Sequence, residues 1–296
     1  CIRDSNVNRG GSKGNNTIQK DYFLPSLNLK YNLNDKNSFR LGASKTYTLP
    51  QAKEISPYRY VGVNFNSQGN PNLKPSDNYN LDLKWDFNPT PTELISLTAF
   101  YKLIKNPISR IEVASAGGYL SYENIADKAT VAGVEIEIRK NLFVRPVSNA
   151  AHGMNKLSLG LNGSYIYTNA KMPLATVTTG SQLEGAAPWI VNFDLSHNFT
   201  KGERSFVNTL VLNYVSDKIY TIGTQGYQDI MEQGVLTLDF VSQAKLNKHL
   251  SLNLKARNLL NPSYKLSRKA NENGEKVILN DYKKGINISL GVSCTF

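Results

Sequence analysis

The chain has 296 residues, a net charge of +11 and 40% hydrophobic residues, and its mean hydropathy is -0.36. Because no apolar run approaches the roughly 20 residues that a spanning helix needs, the composition excludes a helical membrane protein. Lysine and arginine are spread over turns, loops and strand faces without a nucleic-acid-binding motif, so nucleic acid is excluded as a partner.

The two ends of the chain give few signals of processing or redox chemistry. The N-terminal segment CIRDSNVNRGGSKGNNTIQKD has no basic region followed by an apolar stretch, so we expect no signal peptide in it. Either such a peptide has been removed or the chain is part of a longer protein. Cys1 and Cys294 match no metal or redox spacing, and we expect no disulfide between them.

Alternation of apolar and polar residues is the main pattern of the chain. In NYNLDLKWDF, the apolar residues Tyr79, Leu81 and Leu83 alternate with Asn80 and Asp82, which predicts a strand with one apolar and one polar face. The same pattern predicts eleven strands, around residues 27–31, 39–43, 79–87, 95–103, 134–138, 157–167, 191–195, 210–214, 236–240, 250–254 and 286–296. These ranges mark the apolar positions, and most of the predicted strands are about ten residues or longer. Strands of about 9 to 11 residues cross a bilayer when tilted.

Short and long links alternate between the predicted strands. The short links fall at residues 34–37, 88–92, 141–155, 201–205 and 247–249, and the long links at 50–76, 106–128, 169–186, 217–232 and 261–283. This alternation is typical of an outer-membrane β-barrel with periplasmic turns and extracellular loops. The predicted fold class is therefore an all-β, antiparallel transmembrane β-barrel.

The direction of the strands predicts how the chain is placed in such a barrel. The last strand follows a long loop, so it ends in the periplasm, with Phe296 in the aromatic girdle on that side. Counting back places residues 1–21 in an extracellular loop fragment and residues 22–296 in the barrel. Because complete barrels have an even strand number, we expect the eleven strands to be the C-terminal half of a plugged barrel of about 22 strands.

Four segments resemble the C-terminal barrel of TonB-dependent outer-membrane receptors, of the kind abundant in Bacteroidota. They are GNPNLKPSDNYNLDL from Gly69, ELISLTAFYKLIKNPISRI from Glu93, YENIADKATVAGVEIEIRKNL from Tyr122 and ARNLLNPSYKL from Ala256. The resemblance implies partners that the chain itself lacks, namely an N-terminal barrel half with a plug domain and, through that plug, the TonB complex. It also implies a bacterial outer membrane with its lipid and lipopolysaccharide.

Two loops have the composition of recognition surfaces, because the first combines aromatic, arginine and amide side chains and the second combines tyrosine, glutamine and glycine. They lie at residues 56–68 and 220–234, and the alternative is that they only cap the barrel mouth.

No catalytic, cofactor-binding or metal-binding motif is present, and His152, His197 and His249 lack metal spacing. The candidate ligand-contacting residues are Tyr58, Arg59, Tyr60, Asn64, Tyr220, Tyr227 and Gln228.

Three functions remain open at this point. The resemblance implies a receptor that imports a scarce ligand, such as a siderophore, cobalamin, an oligosaccharide or a peptide, by energy-coupled transport. A barrel that does not transport could instead serve as a surface adhesin or as a structural component of a complex. A soluble all-β binding or enzyme domain is the third alternative, although charge on one face of long strands argues against it.

Overall fold

The computed structural model describes residues 2–9, 12–19, 21–114, 118–147, 153–172, 182–270 and 274–295. Within these ranges the protein is almost entirely β-structure. The elements are β1 (Ile2–Arg9), β2 (Ser12–Gln19), β3 (Ser26–Asn32), β4 (Asn37–Thr48), α1 (Ala52–Ile55), β5 (Arg59–Tyr60), β6 (Ser67–Gln68), β7 (Ser76–Phe87), β8 (Leu94–Lys105), β9 (Ile108–Val113), β10 (Tyr119–Asn124), β11 (Lys128–Pro146), β12 (Met154–Ala170), β13 (Trp189–Lys201), β14 (Arg204–Val215), β15 (Lys218–Thr221), β16 (Ile230–Glu232), β17 (Val235–Lys245), β18 (Leu250–Arg257), β19 (Ser263–Lys269), β20 (Lys276–Lys283) and β21 (Asn287–Cys294).

Eleven of these strands form one large antiparallel sheet. Its order is β21-β18-β17-β14-β13-β12-β11-β8-β7-β4-β3, so each strand pairs with the next long strand along the chain. These are the eleven strands that the alternating pattern predicts, and the predicted fold class is confirmed. The longest pairing joins β11 to β12, whose register runs from Ala129 opposite Ala170 to Pro146 opposite Met154.

The two faces of this sheet are reversed relative to a water-soluble protein, in which apolar side chains are buried. On β7, Tyr79, Leu81 and Leu83 are 37%, 49% and 53% exposed, whereas Ser76 and Asp86 on the other face are buried. The register continues the apolar face across neighbouring strands, since Leu83 lies opposite Leu41 and Ala99. We call this the apolar face and the opposite one the polar face.

Aromatic residues lie near both ends of the apolar face. Near the short turns, Tyr31 pairs with Phe39, which pairs with Trp85. Near the long links, Tyr165 pairs with Trp189, and their ring centroids are 4.6 Å apart. Two aromatic rows flanking an apolar band are the girdles expected where a barrel meets the two membrane interfaces.

Short turns close one end of the sheet, and side chains fix their geometry. The Asn34 Oδ1 accepts hydrogen bonds from the backbone N–H groups of Lys36 and Asn37 at 3.0 and 2.9 Å. Gly202 has φ +59° in the turn between β13 and β14, a conformation that glycine adopts without steric cost. These turns lie where the sequence predicts them.

The link between β11 and β12 is shorter than the predicted 141–155. It covers residues 147–153, because β11 continues to Pro146 and β12 begins at Met154. The register shifts between Asn141 and Phe143. Such a bulge moves the side chains that follow it to the opposite face of the sheet. The alternation of apolar and polar residues is therefore interrupted, and it does not predict the last residues of β11.

The long links at the other end contain structure that the alternating pattern does not predict. They form two four-stranded sheets, ordered β5-β6-β10-β9 and β15-β16-β19-β20. The 50–76 link also contains the one-turn helix α1, which begins with a capping box between Gln51 and Glu54. Several of these elements have only two to four residues, which is too short for a period to be recognised.

The chain ends have separate roles in the sheet arrangement. β1 and β2 form a two-stranded hairpin, within the segment predicted to be an extracellular loop fragment. β3 and β21 are the edge strands of the main sheet. Phe296, whose position in an aromatic girdle was predicted, lies outside the described residues. Of the residues described, none belongs to a helix with the length and apolarity of a membrane span.

Candidate functional site

The long links pack into a single assembly at one end of the main sheet, and we call it the loop assembly. Its two small sheets are connected by a parallel bridge between Ile111 of β9 and Ile222, the residue after β15. The Glu112 N–H donates to the Ile222 carbonyl, and the Ile222 N–H donates to the Arg110 carbonyl, both at 3.0 Å. Two links that are far apart in sequence, 106–128 and 217–232, are thereby held side by side.

The hydrophobic core of the described residues lies under this assembly. Ile111, Ile125, Leu183, Ile219 and Ile222 are buried there, together with three alanines in or next to the ends of the long strands. Fully burying one such aliphatic side chain contributes about 1.5 to 3 kcal/mol. The loop assembly therefore has its own packed core, although its residues belong to links.

The base of the assembly is fixed at the end of β8. Asn106 has φ +51°, a left-handed conformation that asparagine tolerates better than most residues, and it lies between β8 and β9, which pair with β11 and β10 respectively. The Asn106 carbonyl accepts hydrogen bonds from the Ser76 hydroxyl at 2.8 Å and from the Asn124 side-chain amide at 2.9 Å. This break in the ladder joins β8 to β9, the strand that carries Arg110.

Arg110 contacts residues of two other links. Its guanidinium donates to Glu184 Oε1 at 2.7 Å, and its backbone N–H donates to Glu184 Oε2 at 2.5 Å. The guanidinium carbon lies 3.9 Å from the centroid of the Tyr220 ring. Burial acts to lower the pKa of Arg110, but the Glu184 carboxylate, together with Tyr220 and Tyr122, more than offsets burial and the pKa is raised. The guanidinium is therefore charged at every usable pH.

A second arginine repeats this arrangement nearby. Arg268 of β19 forms an ion pair with Glu112 of β9, and its guanidinium carbon lies 5.3 Å from the centroid of the Tyr227 ring. The Thr224 hydroxyl donates to the Glu112 carbonyl. Each arginine thus joins a glutamate and a tyrosine from different links, and charge-assisted hydrogen bonds of this type are stronger than neutral ones.

A cavity of about 200 Å³ opens between these links, and polar groups converge on it. Its walls include Lys53, Asn64, Arg110, Tyr122 and Tyr220. Burial raises the pKa of Tyr122, while Arg110 acts in the opposite direction, so this phenol is neutral and able to donate a hydrogen bond. A cationic and phenolic lining suits an anionic or aromatic chemical group. We call this cavity the loop cavity and treat it as the candidate functional site.

The seven predicted ligand-contacting residues divide into two groups in the structure. Asn64 and Tyr220 line the loop cavity. Tyr58, Arg59, Tyr60 and Tyr227 are exposed, and Gln228 is partly buried. The Arg59 guanidinium carbon lies 5.5 Å from the Tyr119 ring centroid, and Lys53 Nζ lies 5.3 Å from the Tyr60 ring centroid. A role of the seven residues in ligand contact stays a prediction.

Sequence reasoning missed Arg110, Tyr122, Lys53 and Glu184. One signal was available, because opposite charges alternate with apolar residues in ISRIEV, as in a short strand. The partner of Arg110 could not be found in this way. Glu184 lies 74 residues further along the chain, and no local pattern encodes such a separation.

Within the described ranges, no group of three or more histidine, cysteine, aspartate or glutamate side chains could hold a metal ion. His197 Nε2 lies 2.8 Å from Asn155 Oδ1, and His249 Nδ1 lies 2.7 Å from the Thr295 carbonyl oxygen. Each of these two histidines thus has a local polar partner. His152 lies outside the described residues.

Comparison with known proteins begins with a family model described as "TonB dependent receptor-like, beta-barrel", which matches residues 3–259. The iron-regulated outer membrane virulence protein of Vibrio cholerae serotype O1 is 24% identical over 240 residues, which cover 78% of this chain and 34% of that protein. The chain thus spans about a third of the length of this relative.

Solved structures give the same picture of the fold. A mutant of the ferric enterobactin receptor of Pseudomonas aeruginosa matches 96% of this chain with 41% of its own, at a TM-score of 0.58 and 17% identity. The ferric yersiniabactin uptake receptor of Yersinia pestis covers 97% of this chain with 39% of its own length, at a TM-score of 0.61 and 15% identity. A copper transporter covers 96% of this chain with 40% of its own length, at a TM-score of 0.60 and 15% identity. At these identities the likeness shows the fold alone.

Proposed function

The chain belongs to the TonB-dependent receptor-like β-barrel family, and from this premise we propose that it is the C-terminal barrel region of an outer-membrane receptor that imports a scarce ligand. The observation that carries the proposal is the exposed apolar face of the main sheet. Eleven antiparallel strands have an exposed apolar face flanked by aromatic residues, as the lipid-facing wall of a barrel requires. A packed loop assembly lies at one end, where a receptor would meet its ligand.

The orientation in the membrane is part of the same proposal. The short turns lie in the periplasm, where the C-terminus also ends, and the loop assembly faces the outside. Residues 1–21 belong to an extracellular loop, and residues 22–296 belong to the barrel. Short turns on one side and long links on the other support this orientation, because outer-membrane barrels place their long loops outside.

We further propose that strands outside this chain complete the ring. β3 and β21 are sheet edges in the described residues, and an open edge in hydrocarbon leaves unpaired backbone groups that each cost several kcal/mol. An N-terminal barrel half would supply the partner strands, and its plug domain would contact the TonB complex. Similarity to a Bacteroidota receptor remains a prediction, since the relatives described above come from other bacteria or carry no stated source.

Of the candidate ligand classes, a metal–siderophore complex is the first choice. The two iron-siderophore receptors and the iron-regulated relative described above support it by name. Lys53, Arg110 and two tyrosines in the loop cavity would suit an anionic chelate with aromatic groups. Cobalamin, an oligosaccharide and a peptide are the other classes to be compared.

Uptake by the full-length receptor tests this function. Cells that express the receptor and cells that lack it would be given radiolabelled iron–siderophore complexes, cobalamin, oligosaccharides and peptides, with and without an uncoupler of the proton gradient. We expect accumulation of one class that requires both the receptor and the gradient. If every class accumulates equally in both strains and surface adhesion is lost without the receptor, the adhesin alternative replaces transport.

A further inference from the structure

Three lysines form a cluster at the loop end of the apolar face, and we call it the basic rim patch. It consists of Lys45 of β4, Lys105 of β8 and Lys128 of β11. Lys45 lies opposite Tyr79, and Asp77 of β7 lies opposite Lys105. Lys105 lies directly opposite Lys128. Because directly opposed residues share a face of a sheet, all three lysines lie on the apolar face.

Two of the three amines of the patch lie beside the same aromatic ring. Lys45 Nζ lies 5.5 Å from the Tyr79 ring centroid, and Lys105 Nζ lies 5.4 Å from the same centroid. Tyr79 is itself exposed on the apolar face. Lys45 and Lys105 therefore flank the Tyr79 ring from the two strands that neighbour β7.

The positive charge of the patch is only partly compensated. Lys45 Nζ lies 3.7 Å from Asp77 Oδ1, which leaves one carboxylate for three lysines. Lys105 and Lys128 are exposed, and the salt bridges among the described residues include neither of them. Directly opposed like charges destabilise a strand pair, so this pair of lysines is costly unless an anion lies between them.

The patch lies at the boundary between apolar and polar surroundings. The next row of the apolar face toward the turns contains Leu81 opposite Ala43 and Tyr101, and its side chains are uncharged. A single lysine at such a boundary extends toward water. Three neighbouring lysines next to the exposed Tyr79 instead form a positively charged surface that fits a phosphate at headgroup depth.

We propose that the basic rim patch binds the phosphate groups of an anionic lipid in the leaflet beside the loop assembly, which in the proposed orientation is lipopolysaccharide. The inference rests on the proposed outer-membrane location. It concerns the outer wall of the barrel rather than the loop cavity, so lipid binding and ligand uptake can be measured independently.

Lipid binding to the purified full-length receptor tests the proposal. Native mass spectrometry in detergent would compare diphosphorylated lipid A with the same lipid after its phosphates are removed. We expect binding that depends on the phosphates. The triple variant K45Q/K105Q/K128Q should bind the phosphorylated lipid about 100-fold more weakly, because each lysine near a membrane surface contributes about fivefold.

The matched control is K102Q/K156Q/K255Q, which removes the same charge from the polar face and should bind like the unmodified protein. Heat-modifiable electrophoretic mobility identifies folded variants. K128Q alone, expected to bind about fivefold more weakly, replaces the triple variant if that variant does not fold.

Equal weakening in the patch and control variants would overturn the proposal. Displacement of the lipid by excess inorganic phosphate would reassign the patch to free anions. Loss of ligand uptake with intact lipid binding would count against the proposed function only.

Discussion

The contacts of Arg110 make Glu184 the most informative residue to change. The ion pair has side chains that are 23% and 20% exposed, so solvent screens it only in part. We expect E184Q to weaken the loop assembly by about 1.5 kcal/mol, the lower end of the range for hydrogen bonds to charged groups. Hydrogen exchange at the amides of Glu112 and Ile222 would report this opening.

The same substitution at an exposed pair provides the control for E184Q. Glu203 and Lys248 are paired at the short turns with side chains 54% and 72% exposed, and exposed pairs contribute little. E203Q should leave exchange in the loop assembly unchanged. If E184Q also leaves it unchanged, Arg110 does not hold the links together.

Tyr122 gives the loop cavity a dependence on alkaline pH. Burial raises its pKa above the ordinary value of 10.0, so in the range between the two values the folded site retains a proton that the unfolded chain has lost. The stability of the assembly is therefore independent of this group below about pH 10 and falls as the pH rises toward the folded pKa. Tyrosinate absorbance and loop proteolysis would be followed together.

Y122F is the control for the alkaline effect, because it keeps the ring and removes the ionisable hydroxyl. We expect the variant to lack the part of the alkaline loosening that depends on Tyr122. An unchanged alkaline transition in Y122F would show that other groups cause it.

At the scale of one strand, β7 tests which face meets lipid. Leu83 is 53% exposed on the apolar face, and an arginine near the bilayer midplane costs about 2 to 4 kcal/mol. L83R should destabilise the folded barrel by that amount in a denaturant titration in lipid. K84R, one residue away on the polar face, keeps a cation that can pair with Asp86 and should change little. Equal losses from both variants would contradict the assignment of the faces.

The links at the two ends of the strands test the orientation. Val63 is fully exposed in a long link, and Asp35 is exposed in the first short turn. In a receptor without its native cysteines, we expect V63C to react with a membrane-impermeant maleimide on intact cells and D35C to react only after lysis. The reverse result would invert the proposed orientation.

At the scale of the whole molecule, the two sheet edges test the need for partner strands. In the full-length receptor, the amides of β21 that do not bond β18 should be protected from hydrogen exchange, because unpaired backbone groups are not tolerated in hydrocarbon. The same amides should exchange rapidly when this chain is expressed alone in detergent. Equal protection in both proteins would show that the chain closes without additional strands.

The sequence by itself determined the main sheet of this protein. Alternation is a local property, so Tyr79, Leu81 and Leu83 reveal both a strand and its apolar face without any long-range information. Local turn residues such as Asn34 and Gly202 mark where the strands reverse. A single bulge near Asn141 nevertheless prevented prediction of the end of β11, because one inserted residue breaks the two-residue alternation of apolar and polar side chains.

Only the tertiary structure decided the arrangement of the loop assembly and the basic rim patch. The Arg110–Glu184 pair joins residues 74 positions apart, and the opposed Lys105 and Lys128 lie on different strands. Contacts of this kind depend on which links pack together and on the register between strands. Both are set by the sum of many weak interactions across the molecule, and no short stretch of sequence contains that information.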